Sequence, residues 1–216
     1  MIRFRSPLNL TSVAIAIVTT IAGFALIPAG TIMPVRWGID GRIDGTMPRD
    51  LALIVMPVTV AFIWGLFAAI DRFTSPNKRA ASAALVNVAI SSTTALFTLI
   101  QVLLVLIALG VPVDLVRAIV IALALMEIAI GNVMPKSQPN RIAGIRLPST
   151  LNDPANWQAV HRLTGLLTVI CGVALFVVAL LIQSAPLLFL ALAVSWVVPL
   201  AVGIIYSLLL QRRQPS

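Results

Sequence analysis

Glu127 is the residue whose position most invites chemistry. It is the only carboxylate deep in an apolar run, seven residues before that run ends at Met134, or about 10 Å along a helix axis. Inserting a carboxylate at such depth costs about 3 kcal/mol, so it should face a bundle interior or a wet cavity. A ligand, proton or gating role is one reading. The other is a structural contact with Asn87, Gln101 or the backbone of another span. Asn87 and Gln101 lie in the preceding run, and Asn132 follows Glu127 toward the end of its own. Amides in such places hold helices together by about 0.6–2 kcal/mol each, and packing is the reading adopted for them. His161 is the single histidine, beside Arg162, with no acid or nucleophile partner in sequence. No Ser-His-Asp pattern, H-E-x-x-H, phosphate loop or dinucleotide fingerprint is present, so no catalytic residue is assigned and the chain reads as a non-enzyme. Cys171 is the lone cysteine, which excludes an intrachain disulfide and fits apolar packing. Asp40 and Asp44 lack EF-hand spacing and a terminal Glu, so they read as turn formers; no metal site and no cofactor is expected.

The elements that must position these residues are membrane spans. The chain is 60% apolar and 10% charged, against about 25% charged in soluble domains. A span needs about 20 apolar residues, and six runs supply them: 10–33, 51–70, 83–109, 115–134, 163–182 and 187–210. The fold class expected is an all-α integral membrane bundle of about six helices. Strand-length segments alternating in polarity, the mark of a barrel, do not occur. The first run is about 24 residues long, beyond a signal h-region, and reads as an uncleaved span. Pro28, Pro57 and Pro199 lie within spans or near their ends, where they can kink a helix.

The net charge of +8 is a topology signal. Four segments on one side carry Arg3, Arg5, Arg72, Lys78, Arg79, Lys136, Arg141, Arg146, Arg162, Arg212 and Arg213, eleven cations in all. The opposite side carries four: Arg36, Arg42, Arg49 and Arg117. The positive-inside rule then places both termini in the cytoplasm. The remaining attraction is to anionic lipid; direct nucleic-acid binding would need a basic face on a soluble element.

Loops 110–114 and 183–186 read as tight hairpins and 71–82 as a solvated basic turn. Two connections are long enough to hold structure. The outer one, 34–50, has Gly38, Gly41 and Gly45 with Asp40 and Asp44 between them, which favours tight turns; Trp37 suits the headgroup level. The inner one, 135–162, is punctuated by Pro135, Pro139, Pro148 and Pro154. Asn152-Asp153-Pro154 predicts an N-cap with proline at the first helical position. The helix that follows places Trp157 and His161 on one face and is expected to lie along the membrane before turning into the fifth span.

The inner-loop pattern resembles a known family. Gly131-Asn132, Pro135-Lys136, Asn140, Gly144-Ile145-Arg146, Pro148, Thr150, Trp157, His161-Arg162 and Gly165 are similar to the SdpI family of bacterial membrane immunity proteins. The outer stretch from Pro34 to Gly41 is similar to the N-terminal domain of uncharacterised function often found with it. Two departures stand out: Arg36 where that domain usually carries His, and Ser149 where the family is often aromatic.

The resemblance implies a two-span unit at 1–82 and a four-span SdpI-like unit at 83–216. It also implies a multi-pass protein of the bacterial plasma membrane that protects its cell against a secreted membrane-active peptide toxin. Toxin or partner contacts would fall to Arg36, Trp37 and Asp40 outside and to Asn140, Arg146, Trp157, His161 and Arg162 inside. The partners implied are the toxin, a small cytoplasmic transcriptional repressor and the bilayer. The alternative from a different class is a small transporter or exporter using Glu127.

Overall fold

The computed structural model describes residues 3–212; Arg213, one of the counted cations, lies outside them. Helices α1 (Pro7–Leu26), α2 (Arg49–Phe73), α3 (Pro76–Ala108), α4 (Leu115–Val133), the one-turn α5 (Pro148–Leu151), α6 (Pro154–Leu181) and α7 (Ala185–Arg212) follow in order. All but α5 are long and apolar enough to cross a membrane, so the six-span helical bundle expected from run lengths is what the chain forms.

Local chemistry sets the helix ends. Ser6 accepts from the Asn9 N–H at 3.3 Å ahead of Pro7. Asp114 accepts from the Arg117 N–H at 3.0 Å, and Asp153 from the Ala155 N–H at 2.8 Å ahead of Pro154. These caps satisfy first-turn donors that have no partner within the helix. Three expected boundaries move. The first span stops at Leu26, because a residue preceding proline avoids helical torsions and Ile27 before Pro28 is extended. The expected solvated turn 71–82 shrinks to Thr74 and Ser75, because Ser75-Pro76 starts α3 and the lysine, arginine and alanines behind it are good helix formers. The helix begun at Pro154 runs uninterrupted to Leu181; no turn separates an interfacial segment from the span.

The outer connection is a β-hairpin rather than a string of turns. Strands β1 (Ile32–Trp37) and β2 (Ile43–Pro48) pair antiparallel, with Met33 opposite Met47 and Trp37 opposite Ile43. Gly41, at φ +78°, lets the tip reverse. Met33 is fully buried in a cluster with Ile27, Leu53, Leu104 and Leu115, and Trp37 packs on both this cluster and the Val120–Leu175–Leu188 cluster. Arg49 closes the hairpin base by donating to the Ile27 carbonyl at 2.6 Å.

Two groups of helices share the bundle. Gln101 Nε2 donates to Thr20 Oγ1 at 3.1 Å and to the Leu53 carbonyl at 3.0 Å, tying α3 to α1 and α2 at one point. On the other side α6 is flanked by α4 and α7. Glycines allow the tightest approach: a Cβ on Gly131 would lie 2.7 Å from the Gly165 carbonyl, and the reverse holds at the same distance. Small residues let backbones meet where lipid supplies no hydrophobic drive. The outward faces carry exposed Ile17, Val18, Ile21, Phe62, Leu181 and Val197, as a lipid-facing surface should.

Hydrogen bonds identify what gathers at each end. The Arg3 N–H reaches Asn87 Oδ1, the Gln138 N–H reaches the Ala81 carbonyl, and Asn156 reaches Ser207. The starts of α1, α3 and α6 and the end of α7 therefore share one end, the terminal end. The hairpin marks the other, where Arg117 also donates to the Ile182 carbonyl at 3.2 Å.

Candidate functional site

The long loop between α4 and α6 folds back onto the first turns of α6. A 3-10 turn, Met134–Lys136, ends α4, and Ser137 beyond it accepts Trp157 Nε1–H on its carbonyl at 3.1 Å. Asn140 makes the next turn: its Nδ2 donates to the Gln138 carbonyl at 2.7 Å, and its Oδ1 accepts from the Ile142 and Ala143 N–H groups at 2.8 and 2.9 Å. Trp157 and His161, both fully buried, stack with centroids 4.0 Å apart and planes within 14°.

The His161 ring is the anchor. Its Nε2 lies 3.0 Å from the Ile145 N–H, which can only donate, so Nε2 is unprotonated. The proton therefore sits on Nδ1, which donates to the Trp157 carbonyl at 2.9 Å. Both nitrogens of a neutral imidazole are thus used, one locally and one on the loop. Gly144, at φ +114°, passes so close that an added Cβ would collide with His161 Nε2 and stand 3.2 Å from the Trp157 ring. Thr150 Oγ1 accepts from the Leu147 N–H at 3.0 Å and donates to the Ile145 carbonyl at 2.7 Å.

A second polar chain fastens the loop to α7. Ser149 and Ser207 hydroxyls are 2.7 Å apart, Ser207 donates to Asn156 Oδ1 at 2.9 Å, and Asn156 Nδ2 returns to the Ser207 carbonyl at 3.1 Å. The serine where the resembling family is often aromatic is thus a buried link between loop and last helix. Ser195 and Ser207 stand out in sequence only as polar residues in an apolar run, and Ser137 and Asn156 lie in the polar loop, where nothing local sets them apart.

The expected site residues divide by what the fold asks of them. Asn140, Trp157 and His161 come together in the loop core. Arg146 and Arg162 remain exposed beside it, Arg146 donating to the Arg141 carbonyl at 2.8 Å. At the other end Arg36 Nε meets Asp44 Oδ1 at 2.7 Å, and Asp40 Oδ1 accepts from the Arg42 N–H at 3.0 Å; both build the hairpin tip, while Trp37 is half-buried beneath it. Among the intramembrane amides, Gln101 joins three helices, and Asn87 accepts from Arg3 near the terminal end. Asn132 is exposed on α4. Glu127 is 5% exposed and bonds neither Asn87 nor Gln101. Its Oε1 accepts from Ser195 of α7 at 2.8 Å.

Fold and site define a polytopic helical membrane protein whose long connecting loop is locked by side chains on the helices it joins. Residues 136–207 match the model of the SdpI/YfhL protein family. The matched segment starts at the loop and ends at Ser207, the serine that ties α7 to Ser149 and Asn156. The chain is also 24% identical over 178 residues to immunity protein SdpI of Bacillus subtilis (strain 168), covering 82% of this chain and 81% of that protein. No solved structure matches.

Proposed function

We propose that this protein is a membrane immunity protein, protecting its cell against a secreted membrane-active peptide toxin, with both termini in the cytoplasm of a bacterium. The observation that carries the reading is that the family-matched segment coincides with the side-chain-locked loop and the two helices that hold it. The related protein of Bacillus subtilis is named for immunity. In this reading the hairpin, with Arg36, Trp37 and Asp40, faces the extracellular peptide. The loop core keeps Arg146 and Arg162 in fixed positions on the cytoplasmic face, where a small repressor would dock. No covalent chemistry is required of any residue. Binding of toxin shifts the protein only if two conformations differ in toxin affinity.

The test is genetic and direct. Deleting the gene should make the strain sensitive to its parent's own culture supernatant, and the restored wild-type gene should remove that sensitivity. A deletion strain that grows in that supernatant as the parent does would contradict the immunity reading.

A further inference from the structure

Between α4, α6 and α7 lies a cavity of about 280 Å³, close to the lower bound of small-ligand sites. The two flanking helices each pack along α6 and touch one another little, so the cavity opens sideways between them. Trp196 and Leu200, both exposed, stand among its lining residues, and Ile145 of the locked loop closes it toward the terminal end. Two of its lining residues, Glu127 and Thr164, each hold a buried side-chain oxygen with no hydrogen-bond partner, Oε2 and Oγ1. Glu127 is more than nine-tenths buried, and so is Thr164. Buried polar atoms left unpaired are uncommon and costly. Two on residues that line one apolar cavity mark it as a candidate site for a polar head group.

We propose that this cavity binds a membrane-partitioning amphiphile with a single aliphatic chain and a primary ammonium head, the head pairing with Glu127. Charge complementarity selects the head. No lysine, arginine or histidine lines the cavity among the described residues, so an ionised Glu127 draws its counter-cation from outside the protein. An ammonium carries three donors, matching Glu127 Oε2, Thr164 Oγ1 and the free lone pair of Ser195. Hard divalent ions take six or more oxygens, whereas the walls offer one carboxylate and the hydroxyls of Thr164, Thr168 and Ser195. The apolar stem is matched by Ile145, Trp196 and Leu200. Glu127 lies outside residues 136–207, and the inference does not rest on the immunity reading.

The test uses the purified full-length chain in nanodiscs with dodecylamine as probe and dodecanol as its uncharged counterpart. Trp196 emission reports occupancy, with Trp196→Phe subtracting the other tryptophans. Dodecylamine should give a saturable change in wild type, with affinity at least tenfold weaker in Glu127→Gln and at least tenfold weaker for dodecanol. Equal amine affinity in a Glu127→Gln protein that elutes and melts like wild type would overturn the proposal. Equal affinity for the alcohol in the wild-type protein would overturn it as well, and that comparison stands whether or not the variant folds.

Discussion

His161 Nε2 receives the Ile145 N–H, and Gly144 passes against the same nitrogen; the two facts predict coupled substitutions. His161→Ala leaves a buried N–H unpaired, a cost of about 1–3 kcal/mol, and removes the partner stacked on Trp157. Gly144→Ala forces a side chain into left-handed torsions, where non-glycine residues pay about 1–3 kcal/mol, and drives its methyl into the imidazole. Each should lower the melting temperature of the purified protein. Because His161→Ala removes the obstacle that the Gly144→Ala methyl meets, the double variant should lose less than the sum. Strict additivity in that cycle would mean that the loop does not rest on the ring. Sequence alone showed Trp157 and His161 on one face and Glu127 deep in a span, because those are matters of helical spacing and run length. It could not show that His161 caps an amide sixteen residues away, or that Glu127 meets Ser195 sixty-eight residues on, because no local pattern encodes which helices become neighbours.

Among elements, α4 and α6 bring backbone against backbone at Gly131 and Gly165. Gly165→Ala places a methyl 2.7 Å from a carbonyl that cannot swing away and should lower the melting temperature. Gly65→Ala on α2 is the internal comparison, since nothing lies within 4 Å of an added Cβ there. Alanine is favoured over glycine in a helix by about 1 kcal/mol, so that variant should melt at or above wild type. If both substitutions behave alike, the glycine pair does not set the packing. The spans were legible as elements because length and hydropathy are properties of one segment. The strands were not: Pro34 and Pro48 argue against sheet, and the hairpin forms because Met33 and Trp37 are drawn into the helix clusters beneath it. The early start of α3 was readable from Ser75-Pro76, but the polar residues that follow suggested a loop, and helix propensity overrode that impression.

At the scale of the whole molecule, ten cations among the described residues belong to the segments of the terminal end, and four to the hairpin end. In the proposed orientation the positive-inside rule puts the loop in the cytoplasm. With Cys171→Ala as background, Ile39→Cys at the exposed hairpin tip should react with an impermeant maleimide in intact cells. Arg141→Cys in the loop should react only after permeabilisation, and the opposite pattern would invert the topology. In the proposed function the locked loop serves protection. The most direct measurement of this is the survival of a gene-deletion strain, challenged with the parent's culture supernatant, when it carries either wild type or His161→Ala. Wild type should restore survival. His161→Ala, present in the membrane at wild-type abundance, should restore much less. No rescue by wild type, or full rescue by a variant whose loop has lost its anchor, would contradict the account.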